Sequence, residues 1–307
     1  MNAEAKHDTT RLNLNVRQGM LGAHIKGVLT AVALMSVLAT TPAVAGGFEN
    51  PGLKVFGLTT DQGLVKFRSN KPGQLRVIGV VSGLQAPDTS LVGIDFRVQD
   101  GQLYGVGNAG GIYTIDTTTA AATLVSQLTV PLDGAFFGVD FNPAADRLRI
   151  VSDTGQNLRH NVNVGGVTTV DANLTYTQPP IVPVPYTPVT TLGVTGAAYT
   201  NNDLDTTNTG TTLFDIDTAL DQVVIQSPPN NGILVATGKL TVDTDAPVGF
   251  DIYTRLKKSV ASGNSGFASL MVGGVSGLYR VSLLTGMATR IGNFRKPVVD
   301  IAVRLNQ

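Results

Sequence analysis

The sequence predicts an all-β fold: a β-propeller of about five four-stranded antiparallel blades, its ring closed by the C-terminal strand pairing in the first blade. Three observations carry this expectation. Apolar residues alternate in short runs broken by Gly, Asn, Asp and Thr. A Gly-x-Asp-Phe strand recurs along the chain. The two ends of the chain hold complementary fragments of one such unit.

The alternation is seen in Leu53–Leu58, Gly111–Asp116 and Leu278–Val281. A period of two over short runs marks strands, and no helical stripe follows residue 45. The recurring strand begins at Gly93 (Gly-Ile-Asp-Phe) and returns at Gly138 (Gly-Val-Asp-Phe). Looser copies begin at Gly196 (Gly-Ala-Ala-Tyr), Gly249 (Gly-Phe-Asp-Ile) and Asp300 (Asp-Ile-Ala-Val). A period of about 50 residues with several short strands per unit is the signature of a propeller. The unit opening at Leu91 shows four strands: 91–97, 102–106, 111–116 and 122–126. The last unit repeats them at 248–254, 267–272, 277–282 and 287–292.

Residues 53–81 supply only three strands, 54–58, 63–67 and 75–81, and lack the Gly-x-Asp-Phe strand. Val298–Arg304 is an isolated strand of that type. Pairing it beside Lys54–Leu58 completes the blade and satisfies edges that would otherwise be open. A Pro-rich stretch over 178–190 removes ladder donors and reads as a loop insertion.

Residues 1–45 read as a secretory signal peptide, and 46–307 as a single propeller domain. Lys6, Arg11, Arg17 and Lys26 precede the apolar run from Gly27 to Thr40, and Ala43-Val44-Ala45 supplies the small-residue cleavage pattern. The expected destination is the periplasm or the outside of the cell. No later segment approaches the roughly 20 apolar residues of a membrane span.

The leader also holds Glu4 and Asp8, so the mature chain keeps 18 basic (22 − 4) and 20 acidic (22 − 2) residues. That balance gives no sign of the concentrated basic face that nucleic acid requires, and no nucleic-acid partner is expected. Without cysteine, stability must come from packing and strand pairing. With His160 the one histidine beyond the leader, zinc chemistry built on His and Cys is unavailable.

The chain resembles the bacterial domain-of-unknown-function family 4394. The resemblance rests on Leu91–Phe96, Gly101–Val106, Phe137–Pro143, Asp146–Arg159, Thr195–Asn202 and Thr212–Asp217, and it spans about residues 53–305. It implies an exported, propeller-type protein and carries over no catalytic residue.

Two constellations are candidates for chemistry. Asp95, Asp140 and Asp251 hold one repeat position, so a propeller brings them to equivalent places around its axis. Three carboxylates there would raise one another's pKa, and a calcium-type cation would relieve the repulsion. The competing expectation is that each caps nearby backbone or pairs with an arginine of its own blade. The second constellation is Arg147, Arg149, Asp153, Gln156, Asn157 and Arg159, whose arginine forks suit an anionic or sugar-like ligand. Here the alternative is a charged hairpin, with Asp95 and Asp140 as the arginines' partners.

Ser152, Asp153 and His160 have the residue types of a triad but no nucleophile elbow. The pairs Asp203/Asp205, Asp215/Asp217 and Asp243/Asp245 lack calcium-loop spacing, and Asp116 and Asp217 read as turn formers. The leading expectation is a non-catalytic binding or scaffold module for an unidentified protein or small molecule. The rivals are a calcium-type hydrolase at the axial carboxylates and a structural protein of the envelope or matrix.

Overall fold

A computed structural model describes residues 52–176, 190–205 and 209–305. The leader and the Pro-rich stretch lie outside these, apart from Thr190, which bridges Thr175.

Five antiparallel blades form the fold. Blade 1 contains β1 (Lys54–Thr59), β2 (Gly63–Arg68) and β3 (Lys71–Val80). Blade 2 is β4 (Leu91–Phe96), β5 (Leu103–Gly107), β6 (Gly111–Ile115) and β7 (Ala122–Gln127). Blade 3 is β8 (Phe137–Asn142), β9 (Arg147–Ser152), β10 (Asn157–His160) and β11 (Thr168–Val170). Blade 4 adds β12 (Thr175–Tyr176) to β13 (Val194–Tyr199), β14 (Leu213–Asp217), β15 (Gln222–Gln226) and β16 (Ile233–Lys239). Blade 5 is β17 (Asp245–Lys257), β18 (Val260–Val272), β19 (Val275–Val281) and β20 (Ala288–Asn293).

The last strand, β21 (Val298–Val303), is the innermost strand of blade 1. It pairs antiparallel with β1 in the register Val55↔Val303 to Thr59↔Val298. The predicted closure therefore forms. Blade 4 departs from four strands because β12 pairs parallel to β16 on its outer edge.

The innermost strands β21, β4, β8, β13 and β17 contact one another in ring order. Their register identifies the repeat positions. Facing the second strand of each blade, Asp95 pairs with Tyr104, Asp140 with Arg149, Ala198 with Phe214, Asp251 with Phe267 and Ala302 with Phe56. Two of the five copies thus carry alanine where the others carry aspartate.

Glycine precedes that position by two residues for a steric reason. A Cβ at Gly138 would lie 2.6 Å from the Ala197 nitrogen, and one at Gly249 would lie 2.5 Å from the Asp300 Cα. Neighbouring strands approach too closely around the axis for a side chain there. Apolar residues on the two faces of each blade pack into the spaces between blades. Phe56, Leu58, Ile94 and Phe96 join blades 1 and 2, and Tyr104, Val139 and Phe141 join blades 2 and 3.

Candidate functional site: axial carboxylates

Asp95, Asp140 and Asp251 converge as their repeat position requires. Each offers a carboxylate oxygen, and the three oxygens lie within 4.8 Å of one another. All three side chains are buried. Each also reaches across to the next blade. Asp95 Oδ2 accepts the backbone N–H of Phe141 at 2.8 Å, and Asp140 Oδ1 accepts that of Tyr199 at 3.1 Å. Asp251 Oδ2 accepts the N–H of Val303, while its Oδ1 takes the N–H of Ile252.

Neither expected alternative to a cation site describes this arrangement fully. The carboxylates do cap backbone, but the cap spans two blades, and no arginine is involved.

A fourth carboxylate completes the set. Asp300 stands at the glycine position of the fifth copy, and its Oδ2 accepts the N–H of Ile94 at 2.6 Å. It ties blade 1 to blade 2, the junction where Ala302 has no carboxylate to offer. At the other alanine copy, Ala198, Asn202 ties blade 4 to blade 5 by donating its side-chain amide to the Ile252 carbonyl at 3.0 Å.

Burial sets the electrostatics. It pushes the Asp95 carboxyl well above its usual range, with Asp251 adding like-charge repulsion. Asp140 moves the same way through burial and the neighbouring Asp95, and Asp300 through burial. Asp251 is pushed up to about 6, because its two N–H donors partly offset burial. Protons or a cation can neutralise such a cluster.

The second constellation is an internal framework. Arg149 is 1% exposed. Its guanidinium donates to Asp171 and Asn157, both at 2.6 Å, to Asn230 at 2.9 Å and to the Tyr199 hydroxyl at 3.2 Å. Arg159 donates to both oxygens of Asp171, at 2.6 and 2.9 Å. The arginines' partner is therefore Asp171, which corrects the expected pairing with Asp95 and Asp140. Those two carboxylates are already held by neighbouring N–H groups.

The other members of this set are also engaged. Asn157 donates to the Ala172 and Pro229 carbonyls. Asp153 accepts the N–H groups of Ala135 and Phe136. Gln156 bridges the Pro131 carbonyl and the Asp133 N–H. Arg147 is half-buried and bonds the carbonyls of Ala145 and Asp146.

No triad assembles. His160 is buried between Ser126 and Thr168, at 2.8 and 3.0 Å, and burial pushes its pKa down to about 4. Ser152 Oγ contacts Thr154. The turn aspartates behave as expected: Asp116 accepts the N–H groups of Thr118 and Thr119, and Asp217 that of Leu220. Asp215 is fully buried, and neither of its oxygens has a hydrogen-bond partner.

Asp171, Asn230 and Asp300 are functional to this architecture and were not singled out from sequence. Only Asp300 left a signal, as a carboxylate inside a recognised repeat copy.

Fold and site together define a five-bladed β-propeller whose innermost strands are latched by buried carboxylates. Residues 63–302 match the family described as domain of unknown function (DUF4394), and the chain belongs to that family. None of the curated proteins matches it. Solved structures match at low identity, among them these three. A chain of a nidogen/laminin complex is 9% identical with a TM-score of 0.45, covering 83% of this chain and 100% of that one. A Lactobacillus plantarum protein is 14% identical with a TM-score of 0.38, covering 78% and 82%. A protein from work on the evolutionary emergence of a symmetrical protein is 14% identical with a TM-score of 0.43, covering 83% and 100%.

Proposed function

We propose that the chain is an exported, non-catalytic binding propeller, acting in the periplasm or outside the cell. The observation that supports this reading is the state of the axial carboxylates. They are the one convergent set of acidic groups among the described residues, and they are buried and bonded to backbone N–H groups of the next blade. A hydrolytic carboxylate needs an open face toward substrate and water. Open concavities lie elsewhere. A groove of about 870 Å³ runs between blades 4 and 5, lined by Asn201, Asn264, Arg280, Leu284 and Met287 among others. Such a surface, fixed by rigid blades, suits recognition.

The separation of 4.8 Å or less among three carboxylate oxygens also favours a calcium-type cation as a structural stabiliser at the axis. The test is a thermal melt at pH 7.5 in millimolar calcium, with a panel of chromogenic ester, phosphodiester and glycoside substrates under the same conditions. A rise in Tm without turnover is the expected outcome. An unchanged Tm removes the cation. Calcium-dependent turnover abolished by Asp140→Asn overturns the non-catalytic reading.

A further inference from the structure

The net charge of the chain conceals a strongly basic cup on blade 1. Lys54, Lys66, Arg68, Lys71 and Arg76 line one concavity of about 380 Å³, together with Phe67 and Gln74 and no carboxylate. Strand register gathers them. Lys54 lies opposite Arg68, Arg68 opposite Lys71, and Lys66 opposite Arg76. Lys66 and Arg68 are two apart on β2 and so share a face. The residues that carry the cations are anchored on backbone positions about 5 Å apart across the strands and about 7 Å apart along them. Arg304 joins the edge of the group, its N–H donating to the Lys54 carbonyl at 2.9 Å.

None of these residues belongs to any ion pair among the described residues. Arg68, Lys71, Arg76 and Arg304 are exposed. Burial pushes the Lys54 pKa down, and Arg304, Lys66 and Arg68 push it further. Lys54 Nζ lies 5.0 Å from the Phe56 ring centroid and Arg68 donates to the Gly52 carbonyl at 3.1 Å, but no carboxylate of the lining neutralises the group. Like charges held this close oppose folding, and a polyanion would relieve them.

We infer that this cup binds a linear acidic polysaccharide, one bearing sulfate or carboxylate groups along its length. The inference rests on the reading of the chain as a binding module and names the ligand class of one of its surfaces. The two-dimensional spacing of cations favours a polymer over a single small anion. The absence of an exposed ring favours a glycan over single-stranded nucleic acid, which needs aromatic platforms for its bases. Phe67, the one aromatic in the lining, is only 5% exposed.

The experiment measures retention of the purified chain on immobilised dextran sulfate and on polygalacturonate at low salt. Parallel arms use oligo-dT and inorganic phosphate. The expected result is glycan binding that weakens steeply with salt. Lys66→Gln/Arg68→Gln should lose at least tenfold in affinity at unchanged Tm, and Arg255→Gln on blade 5 should bind as the parent does. Absence of glycan binding, equal binding by the double variant, preference for oligo-dT at matched charge, or full competition by millimolar phosphate each overturns the site. None of these outcomes touches the binding-module reading, which fails only on calcium-dependent turnover that Asp140→Asn abolishes.

Discussion

Asp251 in blade 5 accepts the backbone N–H of Val303 in blade 1, so the ring is latched by a carboxylate as well as by strand pairing. Val303 also pairs with Val55 across the β21–β1 ladder. The same residue thus belongs to the blade that closes the ring and to the contact that holds the neighbouring blade against it. Asp300 repeats the device one junction further on, through Ile94.

Removing the latch should loosen the ring. Asp251→Ala leaves the N–H groups of Ile252 and Val303 buried without acceptors, at about 1–3 kcal/mol for each orphaned group. Asp251→Asn keeps one acceptor and should lose less. Lys296→Ala, at an exposed pair with Asp61, should leave the urea midpoint unchanged. A midpoint for Asp251→Ala equal to the parent's would sink the latch.

The buried carboxylates also fix the sign of the pH dependence. A carboxyl whose folded pKa is raised binds more protons in the native state, so its stabilising contribution is full below the unfolded pKa and is lost as pH rises through the folded value. For Asp251 that window runs from 3.8 to about 6. His160 opposes it: with its pKa lowered from 6.5 to about 4, stability is lost as pH falls through that range. Asp95, Asp140 and Asp300 are likewise raised well above their usual range, so several carboxyls outweigh the one histidine. Tm measured without divalent cations should therefore fall as pH rises from 4 to 6, and less so in Asp140→Asn. A Tm that climbs across that interval contradicts the assignment.

Glycine at the axis can be tested separately from charge. Gly138→Ala would place its Cβ 2.6 Å from the Ala197 nitrogen and 2.7 Å from the Gly196 carbonyl carbon. Backbone on both sides must shift, which costs about 1–3 kcal/mol as overpacking does. Gly210 has open space around a Cβ and no left-handed φ, so Gly210→Ala serves as the tolerant control. Equal chemical-denaturation curves for the two variants would show that the strands are not closely apposed.

These elements differ in how far the sequence reveals them. The blade count, the closing strand and the convergence of Asp95, Asp140 and Asp251 all follow from one repeated position, because a propeller maps sequence period onto rotation about an axis. What the carboxylates bond to is set by the offset between adjacent innermost strands. That offset depends on blade twist and is not written in any single copy. Asp171 directly follows the three-residue strand β11 and donates its N–H to the Asn157 carbonyl of the same blade. It reaches Arg149 through the β9–β10–β11 pairing, which so short a strand does not announce in sequence. The basic cup was hidden for the opposite reason. Residues 64–76 carry Lys66, Arg68, Lys71 and Arg76 with no acidic residue, a local excess that the net charge of the whole chain cancels.

The buried pair of Arg149 and Asp171 gives the most stringent mutational test of the blade 3–blade 4 framework. Arg149 is 1% exposed and relies on Asp171 as its ion-pair partner at 2.6 Å. Removing one member of a buried pair strands the other charge and costs about 3–5 kcal/mol, whereas replacing the pair with apolar groups of similar volume is far less damaging. Asp171→Ala should therefore destabilise the chain severely, since Arg159 also loses its acceptor. Arg149→Met/Asp171→Leu should recover the part of that loss due to the stranded Arg149, although Arg159 stays without its acceptor and Asn157, Asn230 and the Tyr199 hydroxyl lose a donor. A double-mutant cycle by chemical denaturation reads the coupling directly. Additive losses, with no recovery in the double variant, would show that the guanidinium is held by its neutral partners and not by Asp171.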